Sequence, residues 1–100
     1  MQVDISLSLV ELDKEVKIYI QRKLEIALSR TSLYITAISI VLSKKRSSEN
    51  ENDIHCILTL SIIDSPEVVI EDTQSNLYYV IDRAIQKAKR TMDRIVAQQF

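Results

Sequence analysis

No glycine occurs in this 100-residue chain, where about seven would be usual. Every turn must therefore be built on Asn, Asp, Ser or the one proline, Pro66. The same absence excludes glycine-rich phosphate loops and dinucleotide fingerprints, which need glycine where the backbone approaches the ligand. An anion site here has to come from side chains or helix N-termini. Most nucleotide-using enzymes are thereby excluded.

Between those turns the periodicity predicts six elements. Residues 2 to 10 alternate, with Val3, Ile5, Leu7 and Leu9 against Asp4, Ser6 and Ser8, as a half-buried strand does. Asp13 is placed to cap a helix from about Lys14 to Arg30, with Val16, Ile20, Leu24, Ala27 and Leu28 inward. A second strand is expected from about Leu33 to Ser43. The polar segment 44–53 then reads as an exposed hairpin loop, leading into a third strand, Ile54 to Ile63, with Cys56, Leu58, Leu60 and Ile62 inward. Asp64-Ser65-Pro66 turns the chain into a fourth strand over Glu67 to Asp72, and Thr73 or Ser75 is the expected cap of a last helix. The order β-α-β-β-β-α predicts an α+β fold: a four-stranded mixed sheet with both helices on one face. The open face would carry Ser6, Ser8, Ser39, Thr59 and Ser61 around a small apolar patch of Val41, Ile57 and Val69.

One hundred residues, 46% hydrophobic and 27% charged, fit one globular domain spanning 1–100. The single cysteine excludes an intrachain disulfide and suits a reducing compartment. No apolar run nears the ~18 residues of a membrane span, and the N-terminus lacks the basic start of a signal peptide. The expectation is a soluble, cytoplasmic protein.

Net charge is −1, but the charge is segregated: residues 83 to 94 hold five cations and one anion, a local +4, so the remainder sums to −5. Asp64, Glu67, Glu71 and Asp72 form one acidic region. In the last helix, at about 100° per residue, Arg83, Lys87, Arg90 and Arg94 fall within roughly 60° of arc, about 130° from the apolar stripe that runs from Leu77 to Ile95. Like charges at i,i+4 and i,i+3 cost a helix about a few tenths of a kcal/mol per pair. A helix shaped by stability alone would alternate signs, so the row points to an anionic partner. A solvated face is the bland alternative.

On the first helix, Lys23 and Arg30 lie on one flank of the apolar stripe, and two helices side by side would let that flank and the Arg83 row border one groove. Tyr79 sits near the basic side of its helix, and Lys44, Lys45 and Arg46 form the tip of a cationic loop. Arginine and lysine on paired helices suit phosphates, because they neutralise charge and arginine grips it bidentately. Such contacts give affinity without sequence readout. Catalysis, by contrast, has no constellation. His55, the only histidine, neighbours Cys56 on a strand, where successive side chains face opposite ways, so they are not set up as a nucleophile–base pair or a shared metal site. No enzyme activity, metal, cofactor or small-molecule substrate is expected.

At these residues the chain resembles the ribosome hibernation family, which includes the hibernation-promoting factor and the ribosome-associated inhibitor called protein Y. Asn76-Leu77-Tyr78-Tyr79-Val80-Ile81-Asp82 resembles that family's Asp-Met-Tyr-Ala-Ala-Ile-Asp signature, and Lys87, Arg90 and Arg94 fall where the family carries helix-borne cations. Residues 35–43 are similar to its second strand, and Met1-Gln2-Val3-Asp4-Ile5 and Val10-Glu11-Leu12-Asp13 also fit. The chain departs from the pattern at Glu25 and Ile26, at Asn76, and at Asp72, an acid where the family usually has a small residue.

The resemblance implies a fold related to the double-stranded RNA-binding domain, in the short form without a C-terminal dimerisation domain. It implies binding to the small ribosomal subunit and its rRNA, and to whole ribosomes, near the decoding centre. Translation would be silenced by exclusion of tRNA and mRNA in starved or stationary bacterial cells. Lys23, Arg30, Arg83, Lys87, Arg90 and Arg94 are then the expected rRNA-binding residues, with Tyr79, Lys44, Lys45 and Arg46 as secondary contacts. The free protein is expected to be a monomer that binds no membrane. The alternatives are a general double-stranded RNA-binding module and a protein-interaction domain that uses the exposed sheet face.

Overall fold

Alternation at period two makes the sheet and period 3.6 makes the helices, in the order β-α-β-β-β-α that the sequence predicts. The computed structural model describes residues 1–7, 14–45 and 53–100. Its elements are β1 (Gln2–Leu7), α1 (Lys14–Ala27), β2 (Ile35–Lys45), β3 (Asp53–Ile62), β4 (Val68–Gln74) and α2 (Leu77–Gln99). The sheet runs β1-β2-β3-β4. β1 pairs parallel with β2, from Gln2 opposite Ala37 to Leu7 opposite Leu42, because α1 carries the chain back between them. The pairs β2–β3 and β3–β4 are antiparallel.

Every second residue of β3 is buried: Ile54, Cys56, Leu58, Leu60 and Ile62. They meet Ile38, Ile40 and Leu42 of β2, Ile70 of β4, and the buried stripes of both helices in one core. α1 contributes Val16, Ile20 and Leu24, with Leu28 just beyond it, and α2 contributes Val80, Ile81, Ala84, Ile85, Ala88 and Met92. A one-residue slip of register would turn all of these to the other face, so burial fixes the pairing. Both helices therefore cover the same face. On the open face Ser39, Val41, Ile57, Thr59 and Ser61 are half-buried and Val69 is exposed.

Several boundaries differ from the periodicity reading. α1 stops at Ala27 rather than Arg30, and the chain turns through Leu28–Thr31 into a 3-10 turn at Ser32–Tyr34, which leaves Leu33 85% exposed rather than in a strand. Thr31 is buried in this connection, its amide and hydroxyl both directed to the Leu28 carbonyl. A register shift between Ile35 and Ala37 follows, where the Thr36 hydroxyl bonds the Ser61 carbonyl. Asp64, with φ of 52°, supplies the left-handed turn residue that glycine would usually provide.

Lys44 and Lys45 belong to β2, opposite Ile54 and Asp53, and are not a loop tip. The cap of α2 is neither Thr73 nor Ser75. β4 continues to Gln74, opposite Ile54, and Asn76 caps the helix by accepting the Tyr79 amide at 3.0 Å. α2 itself runs past Arg94 to Gln99, where Phe100 packs against Tyr34 with ring centroids 4.5 Å apart. The Asp13 cap, the end of the first strand at 8–10, and Arg46 lie outside the described residues.

Candidate nucleic-acid interface

The Asn76 cap fixes where α2 begins, and its buried stripe fixes how it is rotated on the sheet. With Val80, Ile81, Ala84, Ile85, Ala88 and Met92 against the sheet, Arg83, Arg90 and Arg94 are exposed and Lys87 is half-buried. The helix lies over β3 and β4 and presents the row to β4. Lys87, Arg90, Thr91 and Arg94 line one wall of an open groove of about 450 Å³, with Val69, Ile70 and Glu71 of β4 on the other.

The opposite flank of α2 meets α1. Asp82, Ile85, Gln86 and Lys89 face Lys23, Ile26 and Ala27 across a separate cleft of about 360 Å³. Lys23 and the Arg83 row thus border two grooves, not the one that side-by-side packing suggested. The helical wheel supplies the reason. Residues 82, 86 and 89 lie beyond one margin of the apolar stripe and the cation row beyond the other, so only one set can face α1. Lys23 sits with its ammonium 5.6 Å from the centre of the Tyr19 ring. Arg30 is exposed in the turn after α1. Tyr79 is exposed, with the Arg83 guanidinium 5.7 Å from its ring centre. Lys44 is exposed at the far end of β2.

Half of the row is already engaged by β4. Arg83 Nε donates to Asp72 Oδ2 at 2.8 Å, and Lys87 Nζ lies 3.7 Å from Asp72 Oδ1 and 3.3 Å from the Glu71 carbonyl oxygen. Burial pushes the Asp72 carboxyl up. Hydrogen bonds from Arg83, the Thr73 amide and Gln74, with the Lys87 charge, outweigh burial and hold it below the usual carboxylate range. Arg90 and Arg94 make no ion pair among the described residues. Lys89 pairs with Asp93 at 3.1 Å.

The α1–α2 contact rests on a bond the periodicity does not reveal. Tyr19 donates its hydroxyl to Asp82 Oδ1 at 2.6 Å, and its ring meets Tyr78 edge-on at 4.8 Å. That hydrogen bond, then burial and the Asp82 charge, push the phenol up to about 12. A pKa raised on folding adds stability that is whole below the unfolded phenol value of about 10 and is lost as pH rises through the folded one. Tyr19→Phe should cost about 1 kcal/mol in urea melts at neutral pH and should remove the steeper loss of stability of the parent above pH ~10. Equal unfolding free energies for parent and variant at neutral pH would contradict this.

His55 and Cys56 point apart, as alternation requires. His55 Nδ1 is 2.8 Å from the Thr73 hydroxyl and Nε2 is 3.8 Å from Glu71. Cys56 is fully buried, and burial, with the Asp72 charge, pushes its thiol up to about 12. It stays protonated at neutral pH and is no nucleophile. Among the described residues no three His, Cys, Asp or Glu side chains converge on a point that would hold a metal. Nor is any helix there long and apolar enough to cross a membrane.

Comparison with known proteins adds to this geometry. The family model described as sigma 54 modulation protein / S30EA ribosomal protein matches residues 3–99. No curated protein sequence matches. Among solved structures, a ribosomal subunit interface protein from Coxiella burnetii is similar with a TM-score of 0.79 at 14% identity, over 97% of this chain and 99% of that one. The N-terminal domain of Thermus thermophilus Protein Y is similar with a TM-score of 0.73 at 19% identity, over 95% of this chain and 99% of that one. At such identities the likeness is one of fold.

Proposed function

Because this chain belongs to the sigma 54 modulation protein / S30EA ribosomal protein family, we propose that it is a ribosome-associated factor that binds the small subunit near the decoding centre and silences translation by occupancy. Residues 1–100 form the one ribosome-binding domain. The observation that carries this reading is the row on α2, in which Arg90 and Arg94 stand exposed beside an open groove with no acid paired to them among the described residues. Side chains of this kind, on a rigid helix, take rRNA phosphates and fix orientation without reading bases. Lys23 and Arg30 add cations on the α1 side. The sheet behind the helices then fills space that tRNA and mRNA would occupy.

With Arg83 and Lys87 held by Asp72, about four cations remain free for phosphate, so log K should fall with log salt at a slope of about −3 to −4. Sedimentation with isolated small subunits, large subunits and whole ribosomes tests the reading. Co-sedimentation with small subunits and whole ribosomes, released by moderate salt, is the expected result. No association even at low salt would overturn it. Equal affinity for a bare RNA duplex would instead mark a general double-stranded RNA binder.

A further inference from the structure

Asp72 is the one acid that β4 directs into the cation row, and its surroundings hold it there. The Thr73 amide and Gln74 Nε2 donate to its Oδ1 at 2.9 and 3.3 Å, while Arg83 takes Oδ2 at 2.8 Å and Lys87 lies 3.7 Å from Oδ1. The carboxylate side chain is only 9% exposed, whereas Arg83 and Lys87 remain 44% and 34% exposed. The anion is therefore shielded and oriented, and the cations are still reachable from solvent. A phosphate that engages Arg83 Nε or the Lys87 ammonium meets an anion already in place.

We infer that Asp72 is an internal counter-ion that competes with the ligand's phosphates for Arg83 and Lys87, and so sets how tightly and how salt-sensitively the helix row binds RNA. This rests on the proposed RNA-binding role of the row. It splits four cations of like sequence appearance into two kinds. Arg90 and Arg94 meet phosphate directly, while Arg83 and Lys87 are held in reserve. The Arg83–Asp72 bond, at 2.8 Å, is charge-assisted and of the strong kind, while Lys87, at 3.7 Å, is held to Asp72 by charge alone, so the reserve is opened only where phosphate outcompetes a carboxylate.

Asp72→Asn tests the inference, because asparagine keeps the size of the side chain and an oxygen for the Thr73 amide. Binding of a fluorescent RNA duplex is followed by anisotropy across a salt series, alongside sedimentation with small subunits, and unfolding melts check the fold. The duplex should bind about five- to tenfold tighter at low salt, with a slope steeper by about 1 to 2, as one or two further cations release counter-ions. Arg83→Gln should weaken binding less than about twofold in the parent, where Asp72 already holds the guanidinium, and several-fold more in the Asp72→Asn background.

Unchanged or weaker duplex binding by a folded Asp72→Asn protein would overturn the inference. So would a tenfold loss from Arg83→Gln in the parent, a result that stands even if Asp72→Asn fails to fold. A gain on the duplex with no association to small subunits would count against the ribosomal reading and leave the counter-ion role supported.

Discussion

Reversing the two unpaired cations of the α2 row, Arg90→Glu with Arg94→Glu, is expected to lower affinity for small subunits on the order of a hundredfold or more at ~0.1 M salt while leaving the fold intact. Both side chains are exposed and neither pairs with an acid among the described residues, so the exchange strands no buried partner. Surface substitutions of this kind usually stay within about 0.5 kcal/mol, which for a domain of this size is a melting shift of roughly 4 °C or less. The choice of positions matters. Lys87→Glu would set a second carboxylate beside Asp72 and facing the Glu71 carbonyl, where Lys87 now lies 3.7 Å from the one and 3.3 Å from the other. Loss of binding in that variant would mix repulsion within the fold with loss of phosphate contact. Retained affinity in a folded Arg90→Glu/Arg94→Glu protein would contradict docking through this helix.

Leu58→Ala should have the largest effect on stability, about 3 to 4 kcal/mol, which lowers the melting temperature by roughly 12–25 °C. Leu58 is fully buried at the middle of β3, opposite Ile40 on one side and Ile70 on the other, beneath α2. Its removal leaves a cavity that two sheet neighbours and a helix would have to move together to fill. Val69→Ala, on the exposed side of β4, should cost less than about 1 kcal/mol. Thermal or urea melts of the two variants check the contrast. A loss below about 1 kcal/mol at Leu58 would mean that the core is not packed as described.

The order of elements and the inward face of each strand were legible because alternation and the 3.6-residue repeat are local. The inward set of β3 and the buried stripe of α2 follow the sequence pattern residue by residue. The misread boundaries depend on partners far along the chain. β4 continues past Asp72 because Thr73 and Gln74 pair with His55 and Ile54, so the cap falls to Asn76. The end of α1 depends on a buried Thr31 that carries no glycine or proline signal.

The candidate site divides in the same way. The clustering of Arg83, Lys87, Arg90 and Arg94 is a property of one helix and could be read from spacing. Their neighbours could not. Whether the row turns toward α1 or β4 depends on how α2 rolls onto the sheet, which put Lys23 in a different cleft. Asp72, eleven residues before Arg83, reaches it only because β4 and α2 are packed together. A charge row therefore overstates the cations that are free when an adjoining strand supplies an acid, and here the excess is two of four.

The most direct measurement is competition for the decoding region. Small subunits are programmed with a short mRNA and a fluorescent tRNA, and the protein is titrated in at low salt. Action by occupancy releases tRNA as the protein binds, at one protein per subunit, and Arg90→Glu/Arg94→Glu releases none over the same range. Stable co-sedimentation of the protein with subunits that keep their tRNA would contradict action by occupancy.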